Sequence, residues 1–343
     1  MSLVFTRLIC VAAAIAMLVP LTTAGASDYY AGKTIEFVVG GSPGGGYDTY
    51  TRAMARHFAR HVPGNPSIVV KNMPGAGGAR AGHFVSTVAP KDGTVIGAVT
   101  PGSIIGPLLD AEPTKLFDPT AALWLGSANN GTRVCVTFEK SKTKAFTDAL
   151  AQKTIIGGVA PGDASHDFAY LVKRTTGAQL DIVSGYKGSL DLFLAMERGE
   201  VDGGCGSDWS SVKSQKPDWL RDGKLRVLLQ IGLQPNDELT ALKIPQLWTY
   251  VKGDDNRRVA EMIVSQQAFQ RPYFTAPGTP AQYVDILRAA FAATMKDPQF
   301  LADAAKMELD VSPLPGATVQ ELVMKFYATP KGIIEQARRA IGP

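Results

Sequence analysis

The sequence predicts an α/β protein made of two halves, each with a mainly parallel β-sheet. Along most of the chain, short apolar runs of strand length alternate with amphipathic segments of helical periodicity. This alternation is typical of parallel sheets covered by helices. A chain of 343 residues is also long enough for two domains of ordinary size. In such sheets, ligands bind beyond the carboxyl ends of the strands, where the loops gather.

The first residues have the features of a secretory signal peptide. Arg7 precedes an apolar stretch over residues 8–21, and the small residues at 24–26 stand at the spacing of a cleavage site. The apolar run is shorter than the roughly 20 residues that are needed to span a bilayer. We therefore predict cleavage near Ala26 and an exported protein.

The charge balance argues against a nucleic-acid partner. Without residues 1–26, which hold one arginine and no acidic residue, the chain keeps 317 residues, of which 34 are basic and 31 acidic. This small positive excess is not typical of nucleic-acid binding. Two cysteines remain, Cys135 and Cys205. Export permits a disulfide between them, but two buried free thiols fit the sequence equally, so their pairing stays open.

Three strands with two helices between them are predicted at the start of the mature chain. Ile35–Val39 is an apolar run of strand length, and an amphipathic helix follows it near Asp48–His61. Ser67–Lys71 is the second strand, and a glycine-rich turn then opens a helix that ends near Val88. Thr94–Val99 is the third strand. The loop after it consists of Thr100, Pro101, Gly102 and Ser103.

The same pattern restarts after the apolar run Trp124–Ser127. Five further runs predict strands with helices between them, at Val134–Phe138, Thr154–Val159, Gln179–Val183, Val201–Gly204 and Leu225–Ile231. Because each glycine-rich turn follows a predicted strand, we expect the turns of each half to lie on one rim of its sheet.

The last third of the chain is predicted to be mostly helical. Residues 271–277 read as a short return strand. Pro280–Lys296 is predicted as a long helix, because proline stands in its first turn and apolar residues recur at helical spacing. Shorter helices are predicted around Pro298–Met307, Thr318–Ala328 and Lys331–Ala340.

The turn between the first strand and its helix is the most informative stretch of the sequence. Five of the seven residues at positions 40–46 are glycine, and Tyr47 and Asp48 follow them. A strand, a glycine-rich turn and a helix start in that order expose backbone N–H groups at a positive helix end, which suits a carboxylate or phosphate. Nucleotide-binding motifs do not fit, because no Lys-Ser or Lys-Thr follows and Thr49 replaces the third glycine of the dinucleotide motif. The alternative is a tight turn that only needs flexibility.

A second turn of this type lies at residues 157–167. Ser165 is predicted to cap a helix over Ser165–Thr176, and its hydroxyl with the adjacent N–H groups could hold a carboxylate oxygen. The alternative is an ordinary helix start. If the two turns face each other across a cleft, they clamp the two ends of one small acid.

An ordered set of motifs across nearly the whole mature chain resembles the solute-binding proteins of tripartite tricarboxylate transporters, the Bug type. The motifs are Gly-Gly-Gly-Tyr-Asp at 44–48, Pro-Gly-Ala-Gly-Gly at 74–78, Asp-Gly at 92–93, Tyr-Lys-Gly-Ser at 186–189, Arg-Gly-Glu-Val-Asp at 198–202 and Ala-Pro-Gly-Thr-Pro at 276–280.

This resemblance implies a two-lobed periplasmic-binding-protein fold of the Venus flytrap, type II-like kind. One lobe would contain residues 27–130 and 270–343, and the other residues 131–269. The resemblance further implies a periplasmic protein, a monomer, without metal or cofactor. It would bind a small organic carboxylate or dicarboxylate, with two integral-membrane transporter subunits as partners. A receptor-docking sensor or scavenger is the alternative, since it would use the same cleft.

The resemblance also implies where the ligand binds. The family's first loop supplies main-chain N–H groups and an Asp near the ligand, and further loops line the cleft. The matching residues in this chain are Gly44, Gly45, Gly46, Tyr47 and Asp48; Thr100, Pro101, Gly102 and Ser103; Pro161, Gly162, Asp163, Ala164 and Ser165; and Tyr186, Lys187 and Gly188.

Three positions depart from the family pattern. His166 follows Ser165 directly, whereas family members commonly have a histidine a few residues later, so its role stays open. Met73 stands where an arginine is common, which removes a cation. Tyr47 is larger than the usual residue and would stack on an aromatic acid or shorten the pocket.

Asp48, Lys187 and Trp209 have two interpretations each. Asp48 would repel an anionic ligand, so it either caps its own helix or accepts a bond from a ligand hydroxyl, amine or bridging water. Lys187 is either a solvated lysine or a cation that offsets the ligand's charge. Trp209 is either core or cleft wall.

A hydrolytic enzyme is a minor alternative. His57 and His61 are four apart on one predicted helix, but no glutamate lies in that helix to complete a zinc-protease motif. No Gly-x-Ser-x-Gly elbow occurs, and adjacent Ser165 and His166 would point in different directions on a helix.

Overall fold

The computed structural model describes residues 29–109 and 117–342. The predicted signal peptide, residues 1–26, lies outside these residues. Within them the chain forms two β-sheets that are covered by helices. The strands, in chain order, are β1 (Thr34–Val39), β2 (Ser67–Asn72), β3 (Val95–Ala98), β4 (Leu123–Ser127), β5 (Arg133–Phe138), β6 (Thr154–Gly158), β7 (Leu180–Ser184), β8 (Gly203–Asp208), β9 (Leu225–Ile231), β10 (Pro272–Thr275) and β11 (Leu314–Pro315).

The helices surround the two sheets. They are α1 (Gly46–Phe58), α2 (Ala79–His83), α3 (Pro101–Leu109), α4 (Phe146–Ala151), α5 (Ala164–Thr176), α6 (Ser189–Arg198), α7 (Trp209–Gln215), α8 (Pro217–Arg221), α9 (Asp237–Ala241), α10 (Asp254–Ser265), α11 (Ala281–Thr294), α12 (Pro298–Lys306), α13 (Gly316–Tyr327) and α14 (Lys331–Ile341). The predicted helix before Val88 is instead a short α-helix, α2, followed by a π-helical turn over Phe84–Val88.

The first sheet has the strand order β11-β4-β10-β3-β1-β2. Strand β1 pairs in parallel with β2 and β3, so that Phe37 lies opposite Val70 on one side and Ile96 on the other. The return strand β10 is antiparallel to both β3 and β4.

The second sheet has the order β7-β6-β8-β5-β9. Strand β6 is parallel to β7 and β8, whereas β5 is antiparallel to β8 and β9. Most strands of each sheet run in one direction, as predicted, but both sheets are mixed, because β10 and β11 in the first sheet and β5 in the second run against the others. The cause is the chain path, since β5 and β10 enter their sheets at the cleft, where neighbouring strands end.

The chain passes between the two sheets at two neighbouring places. The first connection leads from β4 to β5, and the second leads back through Gln266–Phe269 to β10. The last helix, α14, packs against α5 and α10 beside the second sheet and against α3 beside the first. The two halves are therefore two lobes that are joined by these chain connections and by the packing of α14.

Each lobe has its own apolar core. In the first lobe, Phe37, Phe58 and Tyr273 are buried, and the ring of Phe37 packs edge to face with each of the other two between β1, α1 and β10. In the second lobe, Phe193 and Trp219 pack on the sheet through aromatic contacts. A further cluster of buried residues continues from one lobe into the other, which holds the pair together.

Cys135 and Cys205 form a disulfide, which answers the question that the sequence left open. The two residues are directly opposite each other on the paired strands β5 and β8, and both are buried. The bond therefore joins the strand that enters the second lobe to its central strand.

Among the residues that the structure describes, no helix combines the length and the apolar character that crossing a membrane requires.

Replacing Cys135 and Cys205 together with alanine is expected to lower the free energy of unfolding by roughly 2–5 kcal/mol, because the bond closes a long loop in the unfolded chain. Urea unfolding followed by circular dichroism measures this difference. A reductant should lower the stability of the parent protein to that of the variant and leave the variant unchanged. Equal stability of the two proteins without reductant would contradict the disulfide.

Candidate functional site

A cavity of about 740 Å³ lies between the two lobes. The turns that follow β1, β2, β3, β6 and β7 all contribute to its wall, as does the last part of β8. The starts of β5 and β10 form its hinge side through Arg133 and Arg271. The cavity therefore lies where loops gather in an α/β fold, as predicted for a ligand site.

The first glycine-rich turn places the N-terminus of α1 at the cavity wall. Gly45, Gly46 and Tyr47 line the cavity, and Gly46 is the first residue of the helix. The N–H groups of the first helical turn have no carbonyl acceptor within the helix. Gly46 and Tyr47 therefore offer donors and the positive end of the helix dipole to an anion in the cavity.

Asp48 closes this turn and does not line the cavity. Its buried carboxylate accepts hydrogen bonds from the N–H of Gly44 at 2.8 Å, from Arg52 Nε at 2.9 Å and from Asn72 Nδ2 at 2.9 Å. Burial opposes ionisation, but the hydrogen bonds from Arg52, Gly44 and Asn72 outweigh it and hold the pKa of Asp48 below its usual value. Its carboxylate therefore holds the glycine-rich turn before α1 through Gly44, while the N-cap residue of the helix, Gly45, has no side-chain cap.

The second turn differs from the prediction, because Asp163 and not Ser165 is the N-cap of α5. The Asp163 carboxylate accepts from the Ser165 N–H at 2.8 Å and from the Ser165 hydroxyl at 2.6 Å. The hydroxyl in turn accepts from the Val159 N–H at 2.9 Å. The N–H of Gly162 donates to Asp167 at 3.0 Å. Because both residue types cap helices well, sequence alone could not choose between them.

The structure brings most of the predicted site residues to one cavity. Those that line it are Gly45, Gly46, Tyr47, Thr100, Gly102, Asp163, Ala164, Ser165, Tyr186, Lys187 and Gly188. Those that lie outside its wall are Gly44, Asp48, Pro101, Ser103, Pro161 and Gly162. Ser103, Pro161 and Gly162 instead line a neighbouring cavity of about 290 Å³, together with His166 and Asp167.

The lobes touch at the mouth of the cavity, so the structure is closed. The Ser42 hydroxyl of the first lobe donates to the carbonyl of Lys187 in the second lobe at 2.8 Å. Gly102, in the first turn of α3, lies against Gly162 so closely that a methyl group at Gly102 would overlap the Gly162 carbonyl oxygen. Glycine is therefore required at position 102 for the lobes to approach this closely.

Arg271 and Asp208 form a buried ion pair across the hinge. Arg271 Nη2 donates to Asp208 Oδ1 at 3.0 Å and to the Ser211 hydroxyl at 2.7 Å. The guanidinium group also lies over the rings of Tyr47 and Tyr50, at 4.4 and 4.7 Å from the ring centres. Burial of Asp208 opposes its ionisation, yet Arg271 and the surrounding hydrogen bonds keep its pKa below the usual value.

Arg133 lies beside this pair at the start of β5. Its Nη1 donates to the Gly206 carbonyl at 2.6 Å, and its Nη2 donates to the Gln270 side chain at 3.1 Å. Gln270 in turn donates to Asp208 Oδ2 at 3.2 Å. Sequence reasoning missed Arg133, Asp208 and Arg271. The sequence signal that could have indicated these three residues was a charged residue at the start or the end of an apolar strand, at the strand end that lies at the cleft.

The remaining candidate residues have no contact that marks them as ligand-binding. Lys187 is exposed, and its backbone N–H donates to Asp191 Oδ2 at 3.1 Å. Trp209 is buried and donates through its indole to Glu238, so it belongs to the core. His57 and His61 each bond a different aspartate on α12 or its cap. In the described part of the chain, no group of three or more His, Cys, Asp or Glu side chains is arranged to hold a metal.

The contact between Gly102 and Gly162 can be tested with a single methyl group. Gly102→Ala is expected to disfavour the closed arrangement by roughly 1–3 kcal/mol, the usual cost of overpacking, while α3 itself tolerates alanine. Small-angle X-ray scattering measures the outcome as an increased radius of gyration.

Gly106→Ala is the matched control, because it adds the same methyl group to the same helix where no atom lies within 4 Å. Its scattering should equal that of the parent protein. Identical scattering from both variants would contradict the closed contact.

Asp48→Asn is expected to lower the free energy of unfolding at neutral pH by roughly 1.5–3 kcal/mol, the range for hydrogen bonds to a charged group. Folding lowers the pKa of this carboxyl below its reference value of 3.8. Its contribution is therefore complete above that pH and is lost as the pH falls through the folded-state pKa. Urea unfolding at a series of acidic pH values should show that the stability difference between parent and variant decreases as the pH falls. Asp285→Asn, at an exposed position, should have the same stability as the parent protein at every pH.

Comparison with known proteins gives matches among solved structures only. No protein-family model and no curated protein sequence matches the chain. MatC from Rhodopseudomonas palustris with bound malate is 17% identical, with a TM-score of 0.70 over 88% of this chain and 99% of that one. An R. palustris protein solved with adipate is 20% identical, with a TM-score of 0.70 over 89% and 97%.

The periplasmic binding protein BugD is 19% identical to this chain, with a TM-score of 0.68 over 90% of this chain and 97% of its own. At sequence identities this low, the structural similarity shows the fold alone. The predicted two-lobed α/β fold of the periplasmic binding proteins is thereby confirmed.

Proposed function

We propose that this chain is an extracytoplasmic solute-binding protein that captures a small organic carboxylate between its lobes. The observation that carries the proposal is the cavity between the lobes, with the N-terminus of α1 in its wall and two buried guanidinium groups at its hinge side. Positive helix ends and arginines are the groups that bind carboxylates in proteins. Structural neighbours solved with malate and adipate support the same ligand class.

Capture follows from the geometry of the two lobes. A carboxylate enters the open cleft and docks on the N–H groups of Gly46 and Tyr47. The lobes then close, and the segment around Lys187 reaches Ser42 over the mouth. The ligand selects the closed state because contacts to both lobes exist only there.

We further propose the setting in which this binding acts. The protein would be exported, its signal peptide would be cleaved near Ala26, and the mature monomer would work in the periplasm. The closed form would deliver its solute to the two membrane subunits of a tripartite tricarboxylate-type transporter. The resemblance of the sequence motifs and the BugD-like fold support this assignment. A sensor or scavenger that presents the closed form to a receptor is the alternative.

Two serine hydroxyl groups in the cavity wall favour binding over hydrolysis. The Ser165 hydroxyl bonds Asp163 and Val159, and the Ser211 hydroxyl bonds Asp208 and Arg271. Neither is paired with a histidine, the usual general base of a nucleophilic serine. The cavity wall of the described residues therefore suits recognition of a solute.

A thermal-shift screen tests the ligand class. Dicarboxylates from succinate to suberate, with malate and citrate, should include compounds that raise the melting temperature, because a ligand that binds only the folded state stabilises it. The stabilisation is about 2.7 kcal/mol at one hundred times the dissociation constant. The neutral diamides of the same acids should give no shift.

A screen in which no carboxylate shifts the melting temperature, while neutral or cationic compounds do, would contradict the proposed ligand. Uptake of the bound acid into vesicles that contain the two membrane subunits, only in the presence of this protein, would separate transport from sensing.

A further inference from the structure

The hinge side of the cavity carries an unbalanced buried charge. Arg133, Asp208 and Arg271 are only 3%, 5% and 2% exposed, and all three line the cavity. Two positive charges and one negative charge leave a net charge of +1 in this group. A charge that is shielded from water is strongly unfavourable unless a counter-charge or hydrogen bonds compensate it.

Arg133 is the member of this group without a direct ion pair among the described residues, although its charge helps to lower the pKa of Asp208. Its two hydrogen bonds go to neutral oxygen atoms, the Gly206 carbonyl and the Gln270 amide. Asp208 instead bonds Arg271 and Gln270. The Nε atoms of Arg133 and Arg271 are buried without a hydrogen-bond partner among the described residues. The two guanidinium groups therefore have unused donors beside the cavity.

Other carboxylates near the cavity are engaged elsewhere. Asp163 and Asp191 accept hydrogen bonds from N–H groups of their own turns, on the second lobe. Glu238 and Asp310 form ion pairs with Lys213, at 2.9 and 3.6 Å, and their side chains are 48% and 47% exposed. These charges are solvated or bonded, so none of them takes the place of a partner for Arg133.

We propose that the Arg133 guanidinium group binds one carboxylate of the ligand and thereby selects dicarboxylates over monocarboxylates. The inference rests on the proposed function and adds a second anchor to it. The N-terminus of α1 holds the first carboxylate in the first lobe, and Arg133 holds the second at the start of β5 in the other lobe. A dicarboxylate would then bridge the lobes and neutralise the charge at the hinge.

The test combines a charge-removing variant with a charge-removing ligand. Arg133→Met keeps a long side chain without the cation, and the half-amides of the linear dicarboxylates from succinate to suberate keep the ligand's shape without one charge. Isothermal titration calorimetry measures each combination. The parent protein should prefer a dicarboxylate over its half-amide at least roughly 30-fold, as for removal of one partner from a buried charge pair.

Arg133→Met should bind the dicarboxylate more weakly than the parent protein by a similar factor. It should also no longer prefer the dicarboxylate to the half-amide. The control is Arg288→Met, which removes a partly buried arginine that bonds the Trp124 carbonyl away from the cavity. This control should retain both the affinity and the preference of the parent protein.

The outcomes separate the two proposals. A parent protein that binds no carboxylate refutes the proposed function and this inference with it. A folded Arg133→Met variant that keeps the full preference for the dicarboxylate overturns this inference alone, as does a parent protein that binds half-amides equally well.

If the variant does not fold, ¹⁵N NMR of arginine Nε–H groups in the parent protein decides. A dicarboxylate should shift the Arg133 Nε–H signal, and an unchanged signal would overturn the inference.

Discussion

The buried ion pair between Arg271 and Asp208 determines how the two lobes enclose the cavity. Arg271 precedes the strand that returns to the first sheet, and Asp208 ends a strand of the second sheet and caps α7. Burying either charge without the other would be strongly unfavourable, so each stabilises the other. The pair therefore fixes the hinge side of the cavity, while the contact of Ser42 with Lys187 closes the opposite mouth.

Strand direction explains why the groups that can bind an anion lie at this cavity. Most of the central strands end at the cleft, and their turns supply backbone N–H groups and glycines. The two strands that carry the chain between the lobes begin there, and they supply Arg133 and Arg271. A helix N-terminus and guanidinium groups thus meet at one cavity although they come from distant parts of the sequence. This combination suits an anion that has two acceptor groups.

Local features of the sequence predicted the helices, the strands and the first glycine-rich turn well. They did not predict features that depend on the tertiary structure. Apolar periodicity placed β1 and β9 nearly to the residue, and the glycines before Tyr47 indicated the α1 turn. Antiparallel pairing of β5 and β10 was missed because it depends on where the chain crosses between lobes. The disulfide depended on strand register in the same way. Arg133 and Arg271 look like ordinary charged residues until the fold brings them to the cavity.

Native mass spectrometry of the full chain, purified gently from its host, tests whether the cavity binds an organic acid. The expected result is one small organic acid, with more than one carboxyl group, bound to the folded protein and released when the protein unfolds. A bound compound without a carboxyl group would show that the cavity does not recognise carboxylates.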